Sequence, residues 1–261
     1  MRVIAVVNQK GGVGKTTTAA HVGHALSTML GKTLLVDLDP QGHLQHCLGH
    51  HDSNEWGLDL VLSGTAAVAD VAHEVRDNLD LVPAGPQLSD FEQGGGGADR
   101  ALVLRDAIAE SGDAYRAAVL DCGPASGMLA ANAIAAADDV LIPVAGDYLS
   151  LTGLARLLLT LRRMKSMHLG SFDEWVFFSR FTPRRRLSRE VFERVSQHFS
   201  DRLLSTSIQE AAVLAECAGV GKTIFEYRPG SRAAREFGAL VEDLIRGRVV
   251  SYEQKETSNV A

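Results

Sequence analysis

The chain has 261 residues, 46% of them hydrophobic and 22% charged, with a formal charge of −6. That balance excludes wholesale disorder and supplies enough apolar material for a well-buried core. No apolar run approaches the roughly 18 residues needed to cross a bilayer, and Met1 to Val7, ended by Asn8-Gln9-Lys10, is too short for a secretory signal. Cys47, Cys122 and Cys217 are far apart and form no C-x-x-C. Neither a disulfide framework nor a zinc or iron–sulfur site is expected, and a reducing, cytoplasmic setting is.

In chain order, short β-branched runs alternate with helical patterns. Strands are expected over residues 3–7, 33–37, 79–83, 117–121, 140–144 and 175–178. Helices are expected over residues 16–30, 99–110, 127–137 and 150–164. Strands buried on both faces and joined by crossover helices make a mostly parallel sheet in an α/β domain. We expect residues 1–250 to form one domain and the polar residues 251–261 to fray. Gln93 and the four glycines after it read as a surface loop.

The loop after the first strand, Lys10-Gly11-Gly12-Val13-Gly14-Lys15-Thr16-Thr17, opens the first helix. It would fit G-x-x-x-x-G-K-[ST] in full only with glycine at position 9, which is Gln9. The physical logic survives that departure. Gly11, Gly12 and Gly14 let successive backbone N–H groups turn inward on a phosphate, and the helix dipole reinforces them. Lys15 supplies a point charge for the β- and γ-phosphates, and the Thr16 hydroxyl can ligate Mg²⁺. Asp37 and Asp39 end the second strand, and Asp121 ends another before Cys122-Gly123-Pro124. Ligands sit at the carboxyl ends of strands in open α/β sheets, so these acids are expected to face the phosphate loop.

These segments resemble the ParA/MinD family of deviant Walker A P-loop ATPases, and most of all its ParA-type partition and positioning members. Residues 10–17 match the family's first motif, Asp37-Leu38-Asp39-Pro40-Gln41-Gly42 its second, and Leu120-Asp121-Cys122-Gly123-Pro124 its Walker B motif. The similarity extends over residues 1–246. The resemblance implies a P-loop NTPase fold, a twisted sheet with helices on both faces, and hydrolysis of ATP with Mg²⁺. It implies that Lys10 reaches the partner's ATP across a homodimer interface and that Lys15 holds the phosphates. Gly11, Gly12, Val13, Gly14 and Thr17 would line the nucleotide, and Thr16 and Asp121 would hold magnesium. Asp39 would position the attacking water, with Asp37 in support.

A ParA-type dimer is further implied to bind DNA without sequence preference, on the nucleoid, and to have its hydrolysis stimulated by a ParB-like or other adaptor. Its cargo would be a plasmid, a chromosome or a protein assembly such as a carboxysome. Residues 162–202 hold ten Lys and Arg against five Asp and Glu. Arg184, Arg185, Arg186, Arg189 and Arg194, with Arg180 before them, are the expected DNA contacts. Many chromosome-segregation members carry proline and arginines where this chain has Gln209, Glu210 and Val213, so the footprint is expected to lean on residues 184–194. The sequence opens directly on its first strand, without a preceding helix-turn-helix, so no operator specificity is expected. A MinD-like membrane-associated regulator is the alternative. The apolar stripe Phe237, Leu240, Val241, Leu244 and Ile245 is interspersed with Glu236, Glu242 and Asp243, so it is expected to pack on the core rather than on lipid.

Overall fold

The computed structural model describes residues 1–51, 56–94, 97–124 and 127–250. Among these residues seven strands form one sheet: β1 (Arg2–Asn8), β2 (Thr33–Leu38), β3 (His73–Arg76), β4 (Leu79–Val82), β5 (Ala117–Pro124), β6 (Asp139–Val144) and β7 (Asp173–Phe178). Their order is β3-β4-β2-β5-β1-β6-β7, and every neighbouring pair is parallel except β3 with β4. Six of the seven are the strands expected from the sequence. The seventh, β3, is a four-residue edge strand whose His73-Glu74-Val75-Arg76 lacks a buried run. It folds back on β4 through Asp77 and Asn78, with Asn78 at φ 59°, the left-handed conformation that Asn tolerates in tight hairpins.

Both faces of the sheet are buried. Along β1, Val3, Ala5 and Val7 enter one apolar layer and Ile4 and Val6 enter the other, as the two-residue period of a strand requires. Helices cover both faces. Lys15–Leu30 and Met128–Ala136 begin and end within a residue of expectation. Tyr148–Ser166 starts two residues early because the Asp147 carboxylate accepts from the Ser150 amide at 3.0 Å and caps it. The helix expected from residue 99 is a 3₁₀ turn, Ala98–Leu102, running into Val103–Glu110.

The terminal helix, Arg232–Arg246, buries Phe237, Leu240, Val241 and Leu244 in the layer that also holds Ala19, Val22 and Leu26 of the first helix. The face available to a membrane in the alternative reading is thus occupied by the core. Among the described residues no helix is long and apolar enough to cross a membrane. The expected polar tail, residues 251–261, and Gly95 and Gly96 of the glycine loop lie outside the described residues.

β1 lies between β5 and β6, with β2 on the far side of β5. The chain therefore leaves β1 for one half of the sheet and later returns beside it to build the other half. The carboxyl ends of β1, β2 and β5 meet at this reversal, and the loops that follow them form one crevice.

Candidate functional site

The loop from β1 to the first helix is anchored at Asn8. Its side-chain amide donates to the Pro143 carbonyl at 2.7 Å, and its Oδ1 accepts from the Lys10 amide at 2.9 Å. Gly12 and Gly14 then adopt φ of 72° and 86°, a conformation costing other residues about 1–2 kcal/mol. A β-carbon at Gly11, Gly12 or Gly14 would meet nothing within 4 Å, so glycine there serves the backbone path, and the space beside it is open. The first helix has no side-chain cap and no acid in its first turn. Its opening amides are left for an anion. The Lys15 side chain is buried and folds back over the loop, with Nζ donating to the Lys10 carbonyl at 3.3 Å.

The loop forms one wall of a cavity of about 920 Å³. Asp39, His43, His46 and Cys47 line it beyond β2, and Ile208, Gln209, Glu210, Leu214 and Phe237 also line it. A loop of backbone amides with Lys15, and apolar walls from Ile208, Leu214 and Phe237, suit an extended ligand with an anionic tail and a flat apolar head. Behind these walls, His21 stacks on Phe237 with ring centroids 4.6 Å apart, and its Nδ1 lies 2.6 Å from the Thr17 carbonyl. Burial pushes the His21 imidazole down to about 4.

Asp37 and Asp121 are opposite one another in the β2–β5 register, and both are fully buried. Asp37 is held in place: its carboxylate accepts the amides of Asp39 and Leu44 at 2.9 and 3.0 Å. Burial still raises it, to about 7, against the pull of those amides. Asp121 is raised well above the usual carboxylate range, by burial first and by the Asp37 charge second. The Thr16 hydroxyl lies beside Asp121 and favours its charged form, yet neither Asp121 oxygen completes a hydrogen bond. Two buried, unpartnered carboxylate oxygens next to a hydroxyl and a second acid are the donor set of a hard divalent cation. Among the described residues no three His, Cys, Asp or Glu side chains converge on a metal position. A cation here must complete its shell with water and phosphate oxygens, as Mg²⁺ does.

Asp39 is partly exposed at the cavity mouth. Its carboxylate accepts the Gln41 amide at 3.0 Å and leans over Gly123, where an added β-carbon would lie 3.3 Å away. Lys10 points away from the cavity. Its Nζ donates to Asp147 at 2.6 Å and reaches Ser150 Oγ at 3.3 Å. Partial burial raises the Asp147 carboxyl, but the bonds from Lys10 and Ser150 outweigh it and hold the group below the usual carboxylate range.

The structure thus brings Gly11, Gly12, Val13, Gly14, Lys15, Thr16, Thr17, Asp37, Asp39 and Asp121 together and sets Lys10 at the rim. The basic cluster begins beside that rim, where Arg185 lines a small cavity with Lys10, Gly11 and Gly12. Arg184, Arg185, Arg186 and Arg189 are exposed at or near the start of the helix Arg186–Phe199. Arg186 pairs with Glu190 at 2.7 Å, Arg189 donates to the Pro183 carbonyl at 3.0 Å, and Arg194 lies over the Tyr148 ring at 5.5 Å. Arg180 shares that small cavity with Arg185, but its guanidinium is bonded to the phosphate loop and to Glu210. The sequence groups it with the other arginines, because an arginine near others carries no mark of the direction in which it points. Asn8, Asp147 and Ser179 were missed. Only the N-cap pattern of Asp147 ahead of a helix could have marked one of them.

A family model described as an AAA domain matches residues 1–172. The chromosome-partitioning ATPase Soj of Treponema pallidum is 35% identical over 254 residues, covering 94% of this chain and 97% of that protein. Among solved structures, apo McdA from Cyanothece matches with a TM-score of 0.84 at 23% identity, over 94% of this chain and 99% of that one. Cobyrinic acid a,c-diamide synthase from Mycobacterium smegmatis, solved with ADP and magnesium, matches with a TM-score of 0.81 at 28% identity, over 97% and 99%.

Proposed function

This chain belongs to the ParA/Soj family of partitioning ATPases, and on that premise we propose that its ATP-bound form is a homodimer that binds DNA without sequence preference and positions cargo. The setting is the cytoplasm, on the nucleoid. Hydrolysis, stimulated by a ParB-like or other adaptor, releases the protein from DNA, and repeated cycles distribute a plasmid, a chromosome or a large protein assembly.

The observation that carries this reading is the pair of lysines on one loop. Lys15 lies over its own phosphate loop, whereas Lys10 stands at the rim on Asp147. A cation at the rim is placed to meet a γ-phosphate presented from outside the chain, so that a second subunit is needed to complete the site. The amides of residues 11–17 and Lys15 bind the phosphates, and Thr16 and Asp121 hold Mg²⁺, with Asp37 fixing the turn that carries Asp39. Magnesium supplies charge neutralisation on the phosphates. Asp39, at the mouth beside Gly123, orients the attacking water. Phosphoryl transfer asks little covalent chemistry of the protein, so positioning and charge account for the rate.

DNA binding is assigned to Arg184, Arg185, Arg186, Arg189 and Arg194, doubled in a dimer. Among the described residues Arg184 makes no side-chain hydrogen bond or ion pair, and each DNA phosphate that these side chains neutralise releases counterions.

Lys15→Ala is expected to abolish ATP binding, measured by calorimetry; an unchanged affinity overturns the phosphate-loop assignment. Replacing Arg184, Arg185 and Arg186 together by Ala should reduce the slope of log affinity against log salt for duplex DNA by about 0.9 for each phosphate no longer neutralised. An unaltered slope moves the footprint elsewhere, and ATP-dependent pelleting with anionic liposomes would favour the MinD-like alternative.

A further inference from the structure

Two consecutive residues after β7 grip the outer side of the phosphate loop. The Ser179 hydroxyl donates to the Val13 carbonyl at 2.7 Å, and Arg180 Nη1 donates to the Gly12 carbonyl at 3.0 Å. The second arm of the same guanidinium, Nη2, donates to Glu210 Oε1 at 2.8 Å. Glu210 belongs to the segment that, with Ile208, Gln209 and Leu214, lines the large cavity together with the loop. One side chain therefore ties the phosphate loop to that segment.

The backbone at Arg180 is held in a conformation its side chain disfavours, with φ at 50°. Such a conformation persists only where its surroundings over-determine it. Here they do so through Ser179 N to the Val144 carbonyl at 2.9 Å, Phe181 N to the Ile208 carbonyl at 2.9 Å and Glu210 N to the Phe181 carbonyl at 3.1 Å. The result aims the guanidinium at the loop rather than at solvent.

The chemistry of that bond matters for the amides opposite. The Gly12 carbonyl shares its peptide unit with the Val13 N–H, and the Val13 carbonyl shares its unit with the Gly14 N–H. A cationic donor on the first carbonyl and a hydroxyl on the second polarise both units and strengthen their N–H groups as donors. The guanidinium also fixes the orientation of the Gly12 peptide, which glycine torsions would otherwise leave loose.

We infer that Arg180 is a positioning residue for the nucleotide phosphates, acting through the Gly12 peptide, and that Glu210 is its orienting partner. The inference rests on the nucleotide reading of the site and extends it to a residue pair that the phosphate-loop motif does not contain. It also couples the loop to the segment of Glu210: a ligand that moves that segment moves the guanidinium, and with it the loop.

The test measures ATP and ADP affinity by calorimetry for the wild type, Lys15→Ala, Arg180→Ala, Arg180→Lys, Glu210→Gln and the Arg180→Ala/Glu210→Gln double variant. Unliganded melting temperatures are recorded alongside. Arg180→Ala is expected to weaken both nucleotides by about tenfold or more, the size of one charged hydrogen bond, and to raise KM more than it lowers kcat. Arg180→Lys should recover little, because one ammonium lacks the fork that spans Gly12 and Glu210. Glu210→Gln should cost less, and the double variant should lose less than the two single losses combined.

Affinity within twofold of wild type in Arg180→Ala overturns the inference. So does a loss fully accounted for by a lower unliganded melting temperature, or strict additivity in the double variant. Failure of the wild type to bind ATP overturns the nucleotide reading instead, so the two failures are distinguishable.

Discussion

Acidification offers a quantitative test of how the first helix is held under the phosphate loop. His21 is fully buried between Phe237 and Cys217, and its Nδ1 lies 2.6 Å from the Thr17 carbonyl. That geometry requires Nδ1 to carry a proton and donate, leaving Nε2 bare towards the Cys217 sulfur at 3.8 Å. Among the described residues a second proton meets only that sulfur, and burial lowers the group from 6.5 to about 4. The sign follows from linkage. The unfolded chain takes up the proton near pH 6.5 and the folded chain does not, so stability is complete above pH 6.5 and is lost as pH falls towards 4.

At about 1.4 kcal/mol per pH unit, the shift from 6.5 to about 4 makes the loss roughly 3 kcal/mol. Carboxylates titrate over the same range, so the assay is a comparison: urea unfolding of the wild type and His21→Phe at pH 7.5, 6.5, 5.5 and 4.5. Phe keeps the stacking on Phe237 and removes the titration. The wild type should lose stability relative to His21→Phe as pH falls, because only the wild type carries the His21 titration. Parallel curves would refute the reasoning and mean that the imidazole finds a partner when charged.

Two further outcomes are expected. Asp121→Asn should leave the unliganded protein as stable as the wild type or more so, because it removes a buried carboxyl that folding keeps protonated beside Asp37 while the unfolded chain would ionise it; it should also abolish Mg²⁺-dependent hydrolysis. A fall of several degrees in the melting temperature without nucleotide would contradict that account of Asp121. Asp147→Ala should release Lys10 and lower the ATP concentration needed for dimerisation, read by light scattering; a higher requirement would mean that Asp147 serves the dimer rather than the separate chain.

The parts of the site legible in the sequence are those built from contiguous residues. Glycines at 11, 12 and 14 ahead of Lys15 and Thr16 specify a turn into a helix wherever they occur after a buried strand. Asp37 and Asp121 end β-branched runs, and a parallel sheet aligns such ends. What escaped the sequence are contacts closed by the fold. Asn8 meets Pro143, Lys10 meets Asp147, Ser179 meets Val13 and Arg180 meets Gly12, with partners 135, 137, 166 and 168 residues apart. No local pattern distinguishes a serine that ends a strand in solvent from one that caps a distant carbonyl. β3 escaped for a related reason: a short edge strand with one partner needs no continuous apolar run.

The two lysines of the loop differ in the strength of their present contacts, and that difference bears on the proposed cycle. Lys15 is buried and bound to its own loop, so its place is set before any ligand arrives. Lys10 and Asp147 are each about one-third exposed, at 32% and 34%. A pair so placed is worth about 0–1 kcal/mol. That is enough to hold the cation at the rim and too little to keep it there against a more highly charged partner shielded from water. About 1 kcal/mol corresponds to roughly a fivefold bias, which differential binding of a triphosphate readily exceeds. Had the same pair been buried, breaking it would cost several kcal/mol, and the state of the nucleotide could not control the state of Lys10. The weakness of the Lys10–Asp147 bond is therefore what a nucleotide-controlled dimer needs at this position.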